Sequence, residues 1–125
     1  MTALADRTWI HMAGGFAAMG GWAVFANAAH PMPGPLIAGL VQGTMTALIT
    51  LGMKRMLEAL IIRLPGVTGR VLPPLAAFAL SVTVLSLIHT AAGTPEVLRT
   101  LAVPTTVATI YAAIYTQRVW KAHHG

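Results

Sequence analysis

Apolar residues in this chain run in four long blocks instead of alternating with polar ones. The blocks cover residues 9–28, 36–53 (continuing, with more polar residues, to 63), 72–92 and 95–120. A helix rising about 1.5 Å per residue needs about 20 mostly apolar residues to cross the hydrocarbon of a bilayer. The pattern therefore predicts an all-α integral membrane protein, a small bundle of four transmembrane helices over 9–28, 36–63, 72–92 and 95–120. All of residues 1–125 form one domain in this reading.

The breaks between blocks carry the expected chemistry. Pro31, Pro33 and Pro35 each lack an amide hydrogen and restrict the residue before them, so the 30–35 segment is not helical throughout. Leu64, Pro65 and Gly66 stop the second helix. Pro73 and Pro74 fit the first turn of the third, where a missing N–H is no loss. Gly93 ends the third helix; Thr94 is the expected N-cap of the fourth, with Pro95 and Glu96 in its first turn. Pro104 lies inside the fourth helix, where Thr105 or Thr106 is expected to help satisfy freed carbonyls. Arg7, the first apolar block and the Ala26, Asn27, Ala28 triplet imitate a cleavable signal peptide. The block is long for a signal sequence, so it is expected to be retained.

Composition agrees. Hydrophobic residues make up 56% of the 125 positions and charged residues 9%, with a mean hydropathy of +0.72. A soluble domain of this size needs a polar skin that three acids and eight Lys or Arg cannot provide. The net charge of +5 is read as topology and contact with anionic lipid headgroups, not nucleic acid, because the bases are few and separate the apolar blocks. Arg7, Lys54, Arg55, Arg63, Arg70, Arg118 and Lys121 fall on one side of the membrane and Arg99 alone on the other. That asymmetry predicts both termini in the cytoplasm and, in a bacterium, a multi-pass protein of the inner membrane. With no cysteine there is no disulfide, thiol nucleophile or iron–sulfur cluster.

The second helix has two unlike faces. Gln42, Thr46, Thr50, Lys54 and Glu58 recur every four residues, with Gly39, Gly43 and Ala47 on the same side. Ile37, Val41, Met45, Leu48, Ile49 and Leu51 form the other. In a membrane the bulky face meets lipid and the small, polar face meets protein. Six alanines and four glycines among residues 9–28 mark a close-packing helix, whose small face is assigned to Gly14, Ala17 and Gly21. Assembly into a homo-oligomer through these small faces is expected.

Candidate chemistry is sparse. Gln42, Thr46 and Thr50 are candidates for lining a ligand site or pathway. Asn27, His30, His89, Glu96 and Arg99 share the side opposite the basic loops and form a second candidate cluster. Glu58 is expected to pair with Lys54 or Arg55. His11 and His89 lie at opposite ends of the bundle, so no haem, metal or other cofactor is assigned. No catalytic constellation is recognised, and an enzyme is not expected. The favoured function is a small homo-oligomeric membrane protein that binds or moves a small solute or lipid through an interior lined by the second helix, with membrane lipids as partners. The alternative is an accessory or scaffold subunit of a larger membrane complex.

Overall fold

The computed structural model describes residues 2–124, with side chains described for residues 7–123. It is an antiparallel bundle of α1 (Thr2–Ala26), α2 (Gly34–Arg63), α3 (Thr68–Ala91) and α4 (Val97–His124). Three of these helices, α2, α3 and α4, are long and apolar enough to cross a membrane, the mark of a multi-pass membrane protein. Over its described residues α1 is not among them, although the helix spans 25 residues. Large apolar side chains such as Leu40, Leu48, Leu75, Leu87, Leu98 and Ile114 stand exposed on the outside of the bundle. A membrane protein shows that arrangement because lipid is its solvent on those faces.

Several helix boundaries differ from the sequence reading, most of all the start of α1, which lies seven residues before position 9. α3 begins four residues before position 72, so Pro73 and Pro74 lie in its second turn. The early start is held by backbone bonds from Gly69, Arg70 and Val71 to the Gly66 and Val67 carbonyls. A side-chain clasp reinforces it. The Arg70 guanidinium donates twice to Gln117 Oε1, at 2.9 and 2.6 Å, and lies 4.7 Å from the Trp120 ring centre, while Trp120 Nε1 donates to the Gly66 carbonyl. α4 begins at Val97 and takes its cap from elsewhere in the chain, as described below. Near Pro104, Thr106 donates to the Ala102 carbonyl at 2.7 Å, whereas the Thr105 hydroxyl is buried without a partner among the described residues.

Packing divides the bundle into two unequal halves. At the end nearest the α2–α3 loop, Met53, Leu57 and Ile61 of α2 interlock with Ala77 of α3 and Ala112 of α4. No described residue of α1 takes part in that core. It packs on the other half of α2, where Gly20 approaches the Gly39 carbonyl and Gly43 approaches Phe16. Glycine lets the helices approach closely at this crossing. A Cβ on Gly39 would overlap the Val24 side chain, and one on Gly43 would stand 3.0 Å from the Phe16 ring and carbonyl. Gly14, Ala17 and Gly21, the assigned packing face, lie on the exposed side of α1, and within the chain Gly15 and Gly20 make the contacts with α2. A stripe of small residues identifies a helix that packs closely, but α1 carries small residues on both sides, so composition alone does not choose the face.

Gly43→Leu should therefore force α1 away from α2 and destabilise the protein by about 1–3 kcal/mol, the usual range for overpacking. Gly21→Leu, where a Cβ meets nothing within 4 Å, should change stability by less than about 0.5 kcal/mol. Unfolding of both variants in one detergent measures the difference.

Candidate functional site

The polar groups form two buried networks and one cavity. The first network ties the end of α1 to the start of α4. Asn27 has no exposed surface; its Nδ2 donates to the Ala23 carbonyl and to Thr100 Oγ1, each at 2.8 Å. Its Oδ1 accepts from the Glu96 backbone N–H at 2.9 Å. Asn27 thus holds one amide at the start of α4, that of Glu96 just before Val97, in place of the cap the sequence assigns to Thr94. Beside this knot His30 Nε2 lies 2.8 Å from Glu96 Oε2. Trp22 Nε1 donates to the Arg99 carbonyl, and the Arg99 guanidinium sits 5.9 Å from the Phe25 ring centre.

The second network contains His89 and separates it from those residues. Gly93, with φ of +75°, reverses the chain at the end of α3. Gly93 N–H then donates to the Thr90 carbonyl and Thr94 N–H to the His89 carbonyl, the paired closure that a left-handed glycine permits. The reversal folds Thr94 back over the helix end, where its Oγ1 lies 2.7 Å from His89 Nδ1. Side chains lean toward the N-terminus of their helix. α2 and α3 are antiparallel, so Gln42 leans toward the α3–α4 loop and His89 leans away from it. The two meet at 2.9 Å, His89 Nε2 to Gln42 Oε1. The Gln42 Nε2 donates to Thr46 Oγ1 at 2.9 Å, and Thr50 donates to the Thr46 carbonyl at 2.8 Å. Since Gln42 presents its carbonyl oxygen to the ring, His89 carries its hydrogen on Nε2, and Nδ1 accepts from Thr94.

Below this chain of bonds lies a cavity of about 470 Å³, walled by all four helices. It occupies the space between the two packed halves, where α1 follows α2 and α4 follows α3. Ile49, Met53, Leu85, Pro104 and Val107 supply apolar wall; Gln42, Thr46, Thr50, Ser81 and Tyr111 supply the polar positions. Ile10, His11 and Gly14 of α1 and Val107 of α4 are exposed at its rim, so it opens sideways between those helices. Among the described residues, His11 is its only lining residue of a type that can carry positive charge, and no acid lines it.

The sequence candidates are therefore divided. Gln42, Thr46 and Thr50 share the cavity wall, and His89 is bonded to Gln42 instead of joining the outer cluster. Asn27, His30, Glu96 and Arg99 stay together at the α1–α4 junction. Glu58 accepts from the Tyr115 hydroxyl at 2.6 Å and forms no ion pair with Lys54 or Arg55, because Tyr115 reaches it from α4. Ser81, Tyr111 and Thr94 were not recognised as belonging to the site. A signal for Ser81 existed: Pro73, Ala77, Ser81, Leu85 and His89 recur every four residues and are all buried. No protein-family model, curated protein or solved structure matches the chain.

Removing the Asn27 side chain leaves the Glu96 N–H without its partner and takes one donor from the Thr100 hydroxyl, which keeps its bond to the Glu96 carbonyl. Asn27→Leu should lower stability by about 1–3 kcal/mol, the cost of one orphaned buried group. Replacing the exposed neighbour Ala29 with leucine should change little in the same denaturation assay.

Proposed function

We propose that this protein crosses the membrane four times and holds a small, uncharged, membrane-soluble molecule, a lipid or an apolar solute, in the cavity between α1 and α4. The observation that carries the reading is the cavity itself: about 470 Å³, mostly apolar, walled by every helix and rimmed by exposed α1 and α4 residues. That volume lies in the range of about 300–1,000 Å³ typical of small-molecule sites. An isolated ion in such walls is costly, which favours a neutral occupant. One chain suffices to line the site, so the second copy expected from the sequence is not needed to enclose it. The surface proposed for that copy is the exposed strip of Gly14, Ala17 and Gly21.

The topology belongs to the same proposal. Seven of the eight Lys and Arg residues lie at the end that carries both termini and the α2–α3 loop, so that end is assigned to the cytoplasm, in a bacterial inner membrane if the source is bacterial. Single cysteines at the exposed positions Ala29 and Ala92 should react with an impermeant maleimide in intact cells. A cysteine at exposed Val67 should react only after permeabilisation; the opposite pattern reverses the orientation.

Photolabelling tests the cavity. A long-chain alkyl diazirine in nanodiscs should label Ile49, Leu85 and Val107 peptides. Gly14→Trp fills the mouth, where a Cβ meets nothing within 4 Å, and should reduce that labelling about tenfold without unfolding the protein. Labelling confined to the outer apolar faces and indifferent to Gly14→Trp would refute the site and favour the scaffold alternative.

A further inference from the structure

We infer that the Thr46 hydroxyl is the ligand-binding donor of the cavity, aimed by a one-way chain of hydrogen bonds, and that it takes an acceptor-only oxygen such as a ketone or ester carbonyl. The inference deepens the cavity-binding reading and rests on it. Each link has a direction. Thr94 O–H donates to His89 Nδ1, His89 Nε2–H to Gln42 Oε1, and Gln42 Nε2–H to Thr46 Oγ1, over heavy-atom distances of 2.7, 2.9 and 2.9 Å. The last bond occupies a lone pair of Thr46 and leaves its own hydrogen to be donated. No acceptor for that hydrogen exists among the described residues, and the half-buried Thr46 side chain lines the cavity. The carbonyl of Thr46 is no alternative focus, because Thr50 already donates to it. Ser81, 3% exposed, lines the same cavity and adds another hydroxyl to its wall.

The chain polarises in one direction, since each group that accepts also donates onward, and successive bonds strengthen one another. Gln42 and His89 have no exposed surface, so they act as positioning residues and Thr46 makes the contact. A charged head is disfavoured by the lining, and a carbonyl suits an oriented O–H that has no acceptor of its own.

The test compares methyl undecyl ketone with tridecane, which share an apolar body. Protein in nanodiscs would be equilibrated with each, and retention above protein-free nanodiscs measured by gas chromatography. Wild type should retain the ketone about fivefold better than the alkane, the worth of one neutral hydrogen bond. The isotopically enriched carbonyl carbon of the bound ketone should resonate downfield of its position in protein-free nanodiscs. Thr46→Val, which removes the hydroxyl and keeps the shape, should bring the ketone down to the alkane while alkane retention stays unchanged, which also reports an intact fold. Thr46→Ser should keep the preference, and Gln42→Leu should diminish it although Thr46 remains. Equal retention of both probes by wild type, or a preference that survives Thr46→Val, overturns the assignment of Thr46 and leaves the cavity standing. Retention of neither probe overturns the cavity reading, and this one with it.

Discussion

An amide side chain inside an apolar bundle must find partners, and the surroundings of Gln42 follow from that requirement. Left unbonded, its polar atoms would cost several kcal/mol. The ring of His89 supplies the donor and Thr46 the acceptor. To present that ring, α3 must end where Gly93 reverses the chain and brings Thr94 back over it. The register between α2 and α3, the length of α3 and the course of the loop into α4 are thus tied to one buried polar group. An apolar contact of equal size would tolerate sliding by a turn; a chain of directed bonds does not.

The remaining architecture separates adhesion from openness. The residues that interlock most completely sit at the basic end of α2, α3 and α4. α1 is fastened elsewhere, by glycine contacts along α2 and by the Asn27 knot at its last turn. Outside these fastenings the cavity lies between α1 and α4, with Ile10, His11 and Gly14 on one side and Pro104 and Val107 on the other. An internal void and a firmly folded protein coexist because different residues are responsible for each.

Much of this was legible in the residues. The Pro and Gly interruptions locate the breaks between helices to within a few positions, because breaking a helix is local chemistry, whereas α1 begins seven residues before its apolar block. Gln42, Thr46 and Thr50 of the four-residue repeat lie on the cavity side of α2, but Glu58 of the same repeat is exposed and Ile49, from the face assigned to lipid, joins the cavity wall. Partnerships were less legible. Asn27 capping α4, Tyr115 reaching Glu58 and His89 meeting Gln42 all join residues far apart in sequence, and such pairings depend on how whole helices lean. The face of α1 that meets α2 is hidden in the sequence for the same reason. Its glycines and alanines lie on both sides, and only the position of α2 decides which of them are used.

The sideways mouth between Ile10 and Gly14 on one helix and Val107 on the other has a consequence for selectivity. An occupant reaching such a mouth arrives from the bilayer plane, where acyl chains are the solvent. Exchanging one hydrocarbon environment for another releases little free energy, because lipid tails are as apolar as the walls. The hydrophobic effect that dominates recognition from water is nearly silent here. Discrimination then rests on the few polar atoms that bulk lipid tails cannot offer, so a handful of hydroxyl and amide groups decides what such a site keeps.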